Sequence, residues 1–205
     1  MALNSKKIAL LGGCFDPITN GHLNSAIQLL ESNLYVDEVW FLITYKSLYG
    51  KNLSDPIHRI NMCQLAIENL NNKWQDKIKV CTYEVDNKIV QESYDVIHGF
   101  LNYYSNIDYS FYFVIGMDNA NTISTWKRWQ DLINMIPFIV IPRGEYKKDI
   151  LVSWYNNPPH IFIDSIEEYT SSSTIIRNKI RNGLSIDGLT PDSVIEYIYK
   201  NNLTF

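Results

Sequence analysis

KIALLGGCFDPITNGH, Lys7–His22, is the stretch from which the fold is read. Lys7–Leu11 is a short apolar run stopped by Gly12-Gly13, the pattern of a buried strand. Gly12–His22 then forms a turn longer than the ~2–6 residues that usually join a strand to a helix. Leu23, Ala26, Ile27 and Leu30 recur at helical spacing from His22 to about Ser32. The stretch therefore reads as strand, long glycine-bearing turn and amphipathic helix.

The same alternation continues along the chain. Asp37–Ile43, Ile78–Thr82, Tyr109–Ile115, Phe138–Ile141 and His160–Ile163 are predicted strands. Ile57–Leu70 is a predicted helix with Ile60, Cys63, Ile67 and Leu70 on one face and Pro56 in its first turn. Glu92–Tyr104, Ser172–Asn182 and Pro191–Asn202 are the other predicted helices. Strands that alternate with helices imply an α/β fold, a doubly wound parallel sheet with closing C-terminal helices. No repeat or linker divides residues 1–205, so a single domain is expected. In such sheets the ligand crevice lies beyond the carboxyl ends of the strands. That directs attention to Gly12–His22, Thr44–Lys51, Gly116–Trp126 and Arg143.

Composition narrows the function classes. Of the 205 residues, 46% are apolar and 20% charged, which excludes a disordered or collagen-like chain. The net charge of −4, with Lys and Arg scattered, gives no footprint for nucleic acid. No apolar run approaches the ~18 residues of a membrane helix. The four apolar residues Ile8–Leu11 before Gly12-Gly13-Cys14 are too few for a lipoprotein signal. Cys14, Cys63 and Cys81 are odd in number and widely spaced, as in a reducing, cytoplasmic setting, and no metal-ligand spacing is present.

The first turn carries candidate chemistry. It lacks Gly-x-Gly-x-x-Gly and Gly-Lys-Ser/Thr, so neither the dinucleotide fingerprint nor a Walker loop is present. Gly12 and Gly13 let backbone approach a ligand. Thr19 and His22 stand three apart at a helix start, where free N–H groups favour anions. A hydroxyl, an imidazole and a helix N-terminus together suit phosphate, although Thr19 or Asn20 could equally serve as a cap. Near the other end, Ser171-Ser172-Ser173-Thr174-Ile175-Ile176-Arg177 opens a helix with hydroxyls and a guanidinium one turn in, a second anion site.

Together these segments resemble the nucleotidylyltransferase superfamily. Thr19-Asn20-Gly21-His22 is similar to its (His/Thr)-x-Gly-His signature, and Ser172–Arg177 to its Ile-Ser-Ser-Thr-x-Ile-Arg motif, with Ser171 in place of the leading Ile. Gly116-Met117-Asp118, Trp126, Ser93-Tyr94 and Arg59 with Met62 and Ala66-Ile67 resemble the nicotinate/nicotinamide mononucleotide adenylyltransferase branch. The resemblance runs from Ile8 to Leu203 and implies a Rossmann-like sheet. Three departures stand out: Thr19 for a first His, Asp95 for a Thr, and Thr44–Lys51 where the branch has Pro-Pro-His-Lys.

What the resemblance implies is transfer of AMP from ATP to nicotinate mononucleotide, with nicotinamide mononucleotide as a second acceptor. His22, Thr19 and Arg177 would act at the transferring phosphates. Gly12, Gly13, Cys14, Phe15, Gly116, Asp118, Ser172 and Thr174 would bind ATP, Asp118 through its ribose. Trp126, Tyr94 and either Lys46 or Lys51 would bind the mononucleotide. Mg²⁺ would ride on the ATP phosphates rather than on protein ligands. Asp16 would fix the loop, and His58, His98 and His160 would be structural. Lys147-Lys148 would be a solvated pair. Pantetheine-phosphate adenylyltransferase is the alternative enzyme, and a nucleotide-binding regulator without turnover the alternative class. No nucleic-acid or membrane partner is expected, and a homo-oligomer stays open.

Overall fold

Alternate residues of each central strand enter different cores. Ala9 and Val114 belong to one apolar cluster with Leu23, Ala26, Met62, Ile176 and Val194; Ile8, Leu10 and Phe113 belong to another with Val96, Ile97, Phe100 and Leu132. Side chains on a strand point to opposite faces in turn, so continuous apolar runs such as Ile8–Leu10 are what a sheet covered on both sides requires. Each fully buried Leu, Ile or Phe contributes roughly 1.5–3 kcal/mol by leaving water.

The computed structural model describes residues 5–32, 34, 36–143, 152–165 and 171–205; Lys147-Lys148 lies outside the described residues. Six strands form the sheet among them: β1 (Lys6–Gly13), β2 (Glu38–Ile43), β3 (Ile78–Cys81), β4 (Tyr109–Gly116), β5 (Phe138–Ile141) and β6 (Ile161–Phe162). Their order is β3-β2-β1-β4-β5-β6, every neighbouring pair parallel. The chain moves outward from β1 to β3, returns beside β1 as β4, and moves outward again. The Rossmann-like doubly wound expectation is met, and the switch point falls between β1 and β4.

The long helices follow the predicted periods: α1 (Asn20–Glu31), α2 (Pro56–Glu68) and α5 (Ser93–Tyr103). Near the C-terminus come α8 (Ser173–Arg181) and α9 (Asp192–Lys200). Asp55 caps α2 by accepting from Ile57 N at 2.9 Å, with Pro56 opening the first turn. Among the described residues, four short α-helices go beyond the predicted elements: α3 (Asn72–Gln75), α4 (Tyr83–Asp86), α6 (Met117–Asn121) and α7 (Trp129–Met135). One or two turns are too short to show a period in sequence, and only tertiary packing makes them persist. His58 Nδ1 sits 2.9 Å from the Tyr197 hydroxyl, which ties α2 to α9.

Candidate active site at the switch point

The turn after β1 ends in a capping box. Thr19 is the N-cap of α1, and its hydroxyl accepts from His22 N at 3.3 Å. The backbone N–H of Thr19 donates to His22 Nδ1 at 3.0 Å. Since that amide can only donate, Nδ1 must be the acceptor, and the imidazole proton sits on Nε2. Burial first, and the positive charge of Arg143 second, push the His22 pKa down to about 4. The imidazole is therefore neutral at physiological pH and carries one donor, Nε2–H. Phe15, at φ +48°, meets the His22 ring edge-on at 5.0 Å.

The two ends of the chain meet at this turn. Ser171 Oγ accepts from Gly21 N at 2.9 Å, and Ser173 Oγ donates to Pro17 O at 2.8 Å. Arg177 donates to Asp16 O at 2.7 Å and to Thr174 Oγ1 at 3.1 Å. A Cβ on Gly21 would meet Ser171 O and Oγ at 3.1 Å, so the bare glycine permits the approach. The N-termini of α1 and α8 thus share one corner, bringing His22 and Arg177 together. Thr19 is 1% exposed and its hydroxyl is taken up by His22 and Ser171, so it is turned away from the cleft. Ser172 caps α8 by accepting from Ile175 N at 3.2 Å.

Beside this corner a cleft of about 290 Å³ opens over the carboxyl ends of β1 and β4. Gly12 and Gly13 line it from β1, Cys14 from the turn that follows, Gly116 from β4, and Lys46 and Lys51 from the loop after β2; Ser93 and Trp126 line it as well. Gly116 leaves room here for two side chains: a Cβ would lie 2.5 Å from Asp118 Oδ1 and 2.6 Å from Arg143 Cδ, so both would have to shift. Asp118 pairs with Arg143 at 3.7 Å through Oδ2, while its Oδ1 is buried with no hydrogen-bond partner among the described residues. A buried acceptor without a donor suits an incoming hydroxyl. Lys46 lies over the Tyr45 ring at 5.2 Å; the charge of Lys51 acts on the Cys14 thiol, whose pKa is nonetheless raised by burial. Phe15 is 2% exposed and packs inside, and the Tyr94 ring faces Arg128 rather than the cleft wall, where Ser93 stands instead.

Sequence reasoning under-read three residues. Arg143, identified only as the residue beyond β5, lines the cleft and acts on His22. Arg59 is fully buried and donates to Cys14 O, Thr44 O, Tyr45 O and Ser54 O at 2.6–3.0 Å, clamping the loops after β1 and β2 together. Asp16 joins that clamp by accepting from Ser54 N at 2.9 Å. Glu84, on the four-residue α4, lines the cleft, accepts from Tyr45 N at 3.4 Å, and has its carboxyl pushed up to about 7 by burial. No periodic signal marks so short a helix. Among the described residues no cluster of three or more His, Cys, Asp or Glu is arranged to hold a metal ion. Nor is any helix among them long and apolar enough to cross a membrane.

Comparison with known proteins identifies the family and the fold. The cytidylyltransferase-like family profile matches residues 10–179. A Bacillus licheniformis protein named "Probable nicotinate-nucleotide adenylyltransferase" is 31% identical over 97% of this chain and 98% of its own. The Plasmodium falciparum nicotinic acid mononucleotide adenylyltransferase complexed with NaAD superposes with a TM-score of 0.81 at 29% identity, covering 97% of both chains. The same enzyme complexed with APC gives a TM-score of 0.80 at 28% identity, covering 97% of this chain and 96% of that one.

Proposed function

The chain belongs to the cytidylyltransferase-like family and, within it, to the nicotinate-nucleotide adenylyltransferases, and from that membership and the geometry of the cleft we infer that it joins the adenylyl group of ATP to nicotinate mononucleotide in NAD biosynthesis. A phosphate oxygen of the mononucleotide attacks the α-phosphorus, the bond to the β-phosphate breaks, and pyrophosphate leaves. The observation that carries this reading is the shared corner of α1 and α8, with neutral His22 and Arg177, beside a cleft walled by Trp126.

The attacking group is already an anion, so no general base is needed. The protein has to align two polyanions and absorb charge that grows on the α-phosphate and the leaving group. His22 Nε2–H donates to a non-bridging α-phosphate oxygen. Thr19 acts through His22: its backbone N–H sets the tautomer that makes Nε2 the donor. Arg177 and the free amides at the start of α8, with Thr174 and Ser172 around them, hold the β- and γ-phosphates. Asp118 Oδ1 accepts from the ATP ribose, and Gly12, Gly13 and Gly116 let the nucleotide lie against backbone. Trp126 stacks on the pyridine ring, and Lys51, free of the Tyr45 contact that occupies Lys46, takes the mononucleotide phosphate. ATP arrives as its Mg²⁺ complex, the ion held by phosphate oxygens and water. A cytoplasmic location fits the free thiols of Cys14, Cys63 and Cys81.

The test is pyrophosphate release from ATP with nicotinate mononucleotide, nicotinamide mononucleotide or phosphopantetheine as acceptor. Dinucleotide formed from a pyridine mononucleotide is the expected result. Product from phosphopantetheine alone, or none with any acceptor, would overturn the reading.

A further inference from the structure

Asp118 and Arg143 leave neighbouring strands at the same level. In the parallel register of β4 and β5, Gly116 stands opposite Ile141, and each charged residue follows two positions later. Arg143 Nη1 lies 3.7 Å from Asp118 Oδ2. Both side chains share the space over Gly116, where a Cβ would meet Asp118 Oδ1 and Arg143 Cδ. Gly116 and Arg143 line the cleft. The two carboxylate oxygens are thereby divided. Oδ2 answers the guanidinium, and Oδ1 is buried without a hydrogen-bond partner among the described residues.

The pair adds little to stability, because the Arg143 side chain is 59% exposed and water screens such a contact. What it fixes is direction. The last torsion of an aspartate is soft and roughly two-fold, so a carboxylate held at neither oxygen turns between orientations. One oxygen committed to a cation sets the plane and aims the other. An acceptor aimed before its ligand arrives binds without the cost of ordering a side chain. The charge of Arg143 also reaches His22, which places it within range of both the group assigned to the ribose and the group assigned to the α-phosphate.

We propose that Arg143 is a positioning residue for ATP: by engaging Oδ2 it aims the free Oδ1 of Asp118 at a ribose hydroxyl. The claim rests on the adenylyltransferase reading and adds to it the group that orients the ribose acceptor. It requires that Arg143 matter only while a ribose hydroxyl and the Asp118 carboxylate are both present. A guanidinium that touched phosphate or base directly would need neither, and a damaged fold would weaken every nucleotide alike.

The experiment measures dissociation constants by calorimetry for ATP and for 2′,3′-dideoxy-ATP, which lacks both ribose hydroxyls, with Mg²⁺ present and no acceptor. Wild type is compared with Arg143→Met, Arg143→Lys, Asp118→Ala and the Arg143→Met, Asp118→Ala double variant. Arg143→Met is expected to weaken ATP about five- to tenfold, part of the worth of a hydrogen bond to a charged group, and the dideoxy nucleotide less than about twofold. Arg143→Lys keeps a cation able to pair with one oxygen and is expected within about threefold of wild type. Once Asp118 is alanine, adding Arg143→Met should change ATP binding less than about twofold. Equal weakening of both nucleotides by Arg143→Met, an undiminished effect without the Asp118 carboxylate, or unchanged ATP binding overturns the proposal and leaves the enzyme assignment standing. Failure of the wild type to form product with any pyridine mononucleotide overturns the assignment itself.

Discussion

His22 is the residue on which the proposed chemistry turns, and its tautomer is set by one hydrogen bond. Because Thr19 N–H occupies Nδ1, the donor is Nε2, and because burial and Arg143 hold the pKa near 4, the ring stays neutral well below pH 7. His22→Ala is expected to lower kcat by about 10²-fold or more, the loss seen when one donor to transition-state charge is removed, with a smaller effect on KM. Steady-state kinetics checks this, and near-wild-type turnover would remove His22 from its role. The low pKa also has a stability consequence. Between 6.5 and about 4 the unfolded chain binds the proton that the folded imidazole refuses, so stability falls as pH falls through that window. This one group should account for about 2 kcal/mol between pH 7 and pH 5, and the loss should vanish in His22→Gln when denaturant curves are compared. Trp126→Ala should weaken the mononucleotide and leave ATP affinity nearly intact by calorimetry, since the indole lines the cleft and has no hydrogen bond or ring contact with the proposed phosphate corner of α1 and α8 among the described residues. The type and spacing of His22 were legible in the sequence; its tautomer was not, because that depends on where a backbone amide points.

Elements act here through their junctions. Arg59 on α2 fastens the loops that follow β1 and β2 by donating to four of their carbonyls, one after β1 and three between β2 and α2. Arg59→Met keeps the apolar length and removes every donor, so buried carbonyls lose their partners. The expected cost is about 3–5 kcal/mol in denaturant unfolding, larger than any surface substitution on α2 should show. Sequence suggested Arg59 only by resemblance; nothing in its helical position reveals that it is fully buried. Glu84 belongs to the same loop assembly. Its carboxyl titrates near 7 because burial disfavours the charge, so the folded state holds a proton that the unfolded chain has released above about 4.5. Stability should therefore fall as pH rises from 5 to 8, and Glu84→Gln, which keeps the acceptor for Tyr45 N–H, should flatten that slope.

At the scale of the molecule, the sheet order places the carboxyl ends of β1 and β4 side by side, and the crossing from β3 back to β4 opens the cleft between them. The C-terminal segment then returns across the whole chain to the first turn. Asn20 Nδ2 donates to Gly188 O at 2.8 Å and Thr190 Oγ1 to Ile18 O at 2.7 Å, beside the contacts of Ser171, Ser173 and Arg177. A ligand that spans both the corner and the cleft binds only when this closure is formed. A dinucleotide product at 100 times its Kd should therefore add about 2.7 kcal/mol of stability and raise Tm, and Gly21→Ala should reduce that gain by pushing Ser171 from the corner.

The amino-acid sequence by itself determined the alternation of strands and helices, the doubly wound sheet and the two hydroxyl-bearing helix starts to which we assign the phosphates. Those properties are local: apolar period, glycine punctuation and hydroxyls at helix starts act within a few residues. The tertiary structure decided that Thr19 faces inward, that Ser93 rather than Tyr94 meets the cleft, that Arg143 bears on His22, and that Lys127 answers Asp95. Each of those facts is a distance between segments far apart in the chain. Such distances come from packing both faces of the sheet at once, a sum over the whole molecule that no short window of residues contains.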